Sequence, residues 1–182
     1  MLSEFRRRKL AAGFRELDVD GDGRLGNSDI ELLIENHGLA YGYSKDTPEY
    51  DDLARRTRAV WDQLRQFDSD GDGLVSLDEY VAGFEEFLSR REVFLSSMDT
   101  LVDAFYSVAD RDEDGQITED ELIIHFRAWN HTEEQAREAF AHLARNGNGG
   151  ISKAEWMMNL EEYYFSEDPA APGNWLAPLP PE

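Results

Sequence analysis

The 182-residue chain carries 39 acidic against 18 basic side chains, a formal charge of −21, and no cysteine. That balance repels nucleic acid and anionic membrane and favours cations or basic partners, while the lack of thiols excludes disulfides and thiolate metal sites and leaves metal ligation to oxygen. With 41% hydrophobic and 12% aromatic residues, the chain can bury a sizeable core, as one compact unit or two closely packed halves.

The first segment, MLSEFRRRKLAAGF, is basic but has no apolar stretch of signal-peptide length, and no later segment approaches a membrane span. Position 2 is Leu rather than the Gly that N-myristoylation requires, so a cytoplasmic protein with no membrane partner is expected. Leu10, Phe14 and Leu17 recur at helical spacing and lead into DVDGDGRLGNSD (18–29), after which Ile30, Leu33 and Ile34 resume the period. The stretch GLAYGYSKDTPEYDD then breaks the pattern, and the next helix is expected to start at Leu53.

The same organisation returns three more times, which marks an internal repeat. Val60, Leu64 and Phe67 precede DSDGDGLVSLDE (68–79), and Tyr80, Phe84 and Phe87 follow it. Val102, Phe105 and Tyr106 precede DRDEDGQITEDE (110–121), with Leu122, Phe126 and Trp129 behind. Phe140 and Leu143 precede ARNGNGGISKAE (144–155), with Trp156, Leu160 and Tyr163 behind. Each copy predicts helix, loop, helix, and the apolar eighth loop position (Leu25, Val75, Ile117, Ile151) predicts that loops pair through a short antiparallel β-contact. The proline-rich end, SEDPAAPGNWLAPLPPE, has no helical period and reads as a tail whose Trp175 and Leu176 dock against an apolar groove. The division expected is a first loop pair over 1–92, a second over 93–165 and a tail over 166–182.

Calcium takes six to eight oxygen ligands at about 2.3–2.6 Å, and a twelve-residue loop supplies them from positions 1, 3, 5, 7, 9 and 12. The second loop matches through Asp68, Asp70, Asp72, the Leu74 carbonyl and Glu79, with Ser76 placed to hold a water, and the third through Asp110, Asp112, Asp114, the Gln116 carbonyl and Glu121. The first offers Asp18, Asp20, Asp22 and the Arg24 carbonyl but ends in Asp29, one methylene shorter than glutamate. Such a site is expected to bind calcium while tolerating Mg²⁺ better. The fourth begins with Ala144 and has Asn146 and Asn148, which leaves Glu155 alone to face a divalent ion, so it is expected to survive for structure only.

These loops identify the chain as resembling the EF-hand superfamily, and within it the sarcoplasmic calcium-binding proteins and the calerythrins, over nearly the whole length. The first loop ending in Asp29, the long linker before the second loop and the APGNW tail carry the closer likeness. The resemblance implies an all-α fold of four EF-hand units in two pairs that form one compact globule. It also implies buffering or transport of cytosolic calcium, while the expectation of three bound Ca²⁺ comes from the three acidic loops of this sequence, since members of the family differ in which loop is degenerate.

Three readings remain in play. Only four methionines occur, so a Met-rich groove of the opening-sensor kind is less expected than a closed, aromatic core and a monomeric buffer. A sensor whose tail is released to expose a groove for a protein target is the alternative. Photoproteins share this scaffold and hold a chromophore in the core, but His37, His125, His131 and His142 are scattered along the chain, which weighs against that use. No nucleophile signature, phosphate loop or His-rich motif is present, so no catalysis is expected.

Overall fold

The computed structural model describes residues 2–177 and 179. Its elements run α1 (Glu4–Leu17), β1 (Arg24–Leu25), α2 (Asn27–Tyr41), α3 (Pro48–Leu64), β2 (Val75–Ser76), α4 (Leu77–Ser89), α5 (Arg91–Ala109), β3 (Gln116–Ile117), α6 (Glu119–Ala128), α7 (Glu133–Leu143), β4 (Ile151–Ser152) and α8 (Lys153–Phe165). A 3-10 turn over Pro172–Leu176 closes the described chain.

Helix starts are written into the loops. Ser76, Thr118 and Ser152, at loop position 9, cap α4, α6 and α8 by accepting from the backbone N–H of Glu79, Glu121 and Glu155, whose carboxylates bond back to the capping residue. These reciprocal bonds satisfy donors that a helix start otherwise leaves open. One start differs from expectation: α3 begins at Pro48 rather than Leu53, because Thr47 Oγ1 accepts from Tyr50 N–H at 3.3 Å and proline at the first helical position gives up no needed donor.

Antiparallel β1–β2 sets Leu25 opposite Val75, and β3–β4 sets Ile117 opposite Ile151. All four side chains are buried, so each loop pair shares a small apolar seam beneath its two loops. The result is four helix-loop-helix units in two pairs, packed into one globule. Two apolar clusters fill it, one around Phe14, Ile34, Val75 and Phe94, the other around Phe126, Leu143, Ile151 and Trp156.

The two pairs meet along α2 and α6 and along α1 and α8. On the first seam Tyr41 Oη lies 2.8 Å from His125 Nδ1, and the His37 ring stands edge-on to Trp129 with centroids 4.8 Å apart. On the second, Tyr163 Oη donates to the Lys9 carbonyl at 2.7 Å, and the buried Lys9 ammonium donates to the Ser166 carbonyl at 2.9 Å and to Asn174 Oδ1 at 3.2 Å. Lys9 therefore ties α1 to the tail, where Trp175 stacks on His142 with centroids 4.3 Å apart.

The buried histidines of the seam between α2 and α6 predict an acid-sensitive fold. Burial pushes the His125 imidazole down to about 3, with nearby His37 and His131 adding to the effect, and burial pushes His37 down to about 4. Between about pH 6.5 and pH 4 the unfolded chain binds protons at both rings and the folded chain does not, so stability that is complete above pH 6.5 falls as the pH drops. We expect a loss of about 2 kcal/mol per histidine between pH 6.5 and 5. Denaturant titrations across that range check it, and a His37→Phe, His125→Phe double variant should show the flatter pH dependence.

Candidate metal centres

One bond pattern closes all four loops. The position-12 carboxylate accepts from the backbone N–H of positions 2 and 9. Asp29 takes Val19 and Gly26, both at 2.9 Å, Glu79 takes Ser69 and Ser76, both at 2.9 Å, Glu121 takes Arg111 at 2.8 Å and Thr118 at 2.9 Å, and Glu155 takes Arg145 at 3.0 Å and Ser152 at 2.9 Å. The shorter Asp29 thus reaches the same donors as the glutamates. A carboxylate has about four lone-pair directions, so these bonds leave others for an ion.

The first half of each acidic loop is equally regular. Gly23, Gly73 and Gly115, at position 6, hold φ of 85°, 86° and 83°, a left-handed turn in which a side chain would be strained. Each donates its N–H at 3.0 Å to the position-1 carboxylate, Asp18, Asp68 or Asp110. The position-7 residues Arg24, Leu74 and Gln116 each donate their N–H at 2.8 Å to the position-5 carboxylate, Asp22, Asp72 or Asp114. At position 9 the first loop has Gly26 where the others have Ser76, Thr118 and Ser152, and a Cβ there would lie 2.7 Å from Leu74 Cδ2, so that side chain would have to shift.

Three carboxylate groupings result among the described residues. Oxygens of Asp18, Asp20 and Asp22 lie within 4.8 Å of one another, as do those of Asp68, Asp70 and Asp72 and those of Asp110, Asp112 and Glu121. Asp29, Glu79 and Asp114 stand outside these groupings, at the loop positions described above. Like charges gathered this closely repel unless a cation lies among them. The buried Asp18 Oδ1 has no hydrogen-bond partner among the described residues, which fits an oxygen left for a metal. The donor set is all oxygen and suits a hard divalent ion such as calcium.

The closing carboxylates differ in charge stability. Burial raises Asp29 above the usual carboxylate range despite its backbone bonds. Hydrogen bonds from the backbone and hydroxyls of Ser76 and Ser69 hold Glu79 down to about 2. At Glu121 burial pushes upward, but bonds from Thr118 and Arg111 bring the net shift downward.

The fourth loop satisfies itself. Asn146 donates to Glu155 through its backbone N–H at 2.9 Å and through Nδ2 at 2.8 Å, and the Ser152 hydroxyl adds a bond of 2.6 Å. Arg145 extends from the loop to Asn159 and Glu162. Tyr106, four residues before the third loop, sets its hydroxyl 2.9 Å from the carbonyls of both Gly115 and Ile151 and so joins loops three and four. No loop pattern in the sequence signals that tyrosine, because its partners come from two different repeats.

Comparison with known proteins follows the same lines. Residues 7–85 match the EF-hand domain pair and residues 101–124 match the EF hand. The chain is 25% identical over 160 residues to calerythrin of Saccharopolyspora erythraea, covering 86% of this chain and 90% of calerythrin. The coelenterazine-binding protein of Renilla muelleri superposes with a TM-score of 0.77 at 21% identity, over 97% of this chain and 98% of that one. A sarcoplasmic calcium-binding protein from amphioxus superposes with a TM-score of 0.76 at 18% identity over 100% of both chains. At these identities the two structures establish the likeness of fold.

Glu155 separates the structural from the metal-binding use of a closing carboxylate. We expect Glu155→Ala to leave the number of bound calcium ions unchanged while costing about 1–3 kcal/mol, since the N–H groups of Arg145, Asn146 and Ser152 lose their acceptor. Denaturant melts and calorimetric calcium titration of the same variant check both halves of that expectation.

Proposed function

Starting from a calcium-binding EF-hand protein that resembles calerythrin and the sarcoplasmic calcium-binding proteins, we propose that the chain is a cytoplasmic calcium buffer holding three ions, in loops one to three. The carboxylate groupings in those loops, and the hydrogen bonds that take their place in the fourth, carry this reading. Asp68, Asp70, Asp72, Glu79 and the Leu74 carbonyl serve the second ion, and Asp110, Asp112, Asp114, Glu121 and the Gln116 carbonyl the third. Asp18, Asp20, Asp22, Asp29 and the Arg24 carbonyl serve the first, where the shorter closing side chain makes magnesium a competitor. The reading takes the chain to be a monomer without catalytic activity, its loop carboxylates being committed to metal.

Calorimetric titration of chelator-stripped protein with calcium, in magnesium, tests it. Three ions should bind, and Glu79→Gln or Glu121→Gln should reduce the number bound tightly to two. A dye for exposed apolar surface should stay flat through the titration. A rising dye signal would instead establish the sensor alternative, in which the tail frees a groove for a protein target.

A cavity of about 460 Å³ between the two apolar clusters favours a second use beside the first. Two of the four histidines, His125 and His131, line it with Trp129 and Trp156. Glu16 on its wall pairs with His131 at 3.0 Å, and the phenols of Tyr80 and Tyr164, raised further by burial, line it as neutral hydroxyl groups. Such walls suit a flat, uncharged aromatic molecule with an acceptor group, and a fold neighbour is named for binding coelenterazine. Nile red, neutral and carbonyl-bearing, should bind one per chain and be blocked by Ser97→Phe on the cavity wall, with Leu39→Ser on the exposed surface as the unaffected control. Absence of saturable binding would sink this second use.

A further inference from the structure

Within each loop pair, one side chain crosses from the first loop to the second at the same place. In the first pair the Arg24 guanidinium forms an ion pair with Asp72 Oδ2. In the second pair the equivalent residue, Gln116, accepts through Oε1 from Asn148 Nδ2 at 3.2 Å. Both contacts run from position 7 of one loop to position 5 of its partner, beside strands in which Arg24 faces Ser76 and Gln116 faces Ser152. The chemistry is matched in each case, a cation with a carboxylate where the second loop of the pair is acidic and an amide with an amide where it is not.

The Arg24 contact falls on a candidate calcium ligand. Asp72 Oδ1 accepts from Leu74 N–H at 2.8 Å, and its other oxygen meets the guanidinium. Asp22 and Asp114 hold the same loop position and make the same 2.8 Å bond, from Arg24 and Gln116, but their second oxygens have no hydrogen-bond partner among the described residues. Among the described residues, the second is therefore the one acidic loop whose position-5 carboxylate is hydrogen-bonded by a positive side chain. Stability does not account for the contact, because both side chains are well exposed, at 47% and 36%, and exposed ion pairs contribute little to folding.

We propose that Arg24 is a counter-charge that tunes the second loop, competing with a divalent ion for Asp72 and lowering that loop's calcium affinity. The inference rests on the calcium reading of loops one to three. It gives Arg24 a role in both sites of the first pair, with its carbonyl directed to its own loop's ion and its guanidinium acting on the neighbour's. A position-7 side chain, which contributes only its backbone to the ligand set, becomes the element that sets the relative strength of the two sites.

Calcium titration of ¹⁵N-labelled protein separates the loops, because the amides of Gly23, Gly73 and Gly115 each donate to the first carboxylate of their own loop. Arg24→Gln gives the first pair the side chain that the third loop carries. At low salt it should move the Gly73 midpoint to about tenfold lower calcium, the Coulomb effect of one charge on a divalent ion several Å away in water-like surroundings. The shift should shrink in high salt, be smaller for Arg24→Lys, and leave the Gly115 midpoint in place. A Gly73 midpoint that stays put or moves to higher calcium in Arg24→Gln overturns the role of Arg24 alone. Wild-type amides that do not respond to calcium overturn the calcium assignment and this inference with it.

Discussion

The position-12 carboxylate holds each loop closed by accepting N–H groups from positions 2 and 9, and the rest of the molecule is arranged around that clamp. The same side chain sits in the first turn of the exit helix, where it completes the capping box in three of the four repeats. One carboxylate thus starts a helix, sets the distance across a loop and presents an oxygen toward the place of an ion. Because the clamp fixes where the exit helix begins, it also fixes where the helix's apolar face meets the core.

What fills the centre of the loop is then a question of charge. Three loops gather carboxylates that repel one another, and the fourth replaces position 1 with Ala144 and positions 3 and 5 with amides. Asn146 Nδ2 reaches the clamp carboxylate directly, so hydrogen bonds hold the fourth loop in the shape that the others share. Its survival has a physical reason: Ile151 faces Ile117 across the β-contact, and the third loop would lose its partner strand without it.

The halves are joined by a different chemistry. Helices α2 and α6 meet through rings whose burial demands neutral imidazoles, and α1 meets α8 and the tail through a buried ammonium that bonds to neutral oxygens. Aromatic side chains line these meetings, some of them edge to face, as the rings of His37 and Trp129 are. Aromatic residues of both clusters also wall the open volume between them. Composition predicts a closed aromatic core; the aromatic walls are present, and they flank a half-open space.

Four loops, the helices on either side, their pairing through the apolar eighth positions and the difference between three acidic loops and one amide loop are all legible in the chain's residues alone. All of these follow from twelve consecutive residues and their immediate flanks, where ligand spacing, glycine turns and helical period are local properties. The start of α3 is ambiguous in the sequence because the glycines and Pro48 of the linker read as breakers, although Thr47 and Pro48 also form a good helix cap. Other contacts arise only when the folded helices pack: Arg24 with Asp72, Tyr41 with His125, and Lys9 with Asn174. Those partners lie 48, 84 and 165 residues apart, and no local period encodes contacts of that span. They depend on how the amphipathic faces of the helices fit together once each has folded.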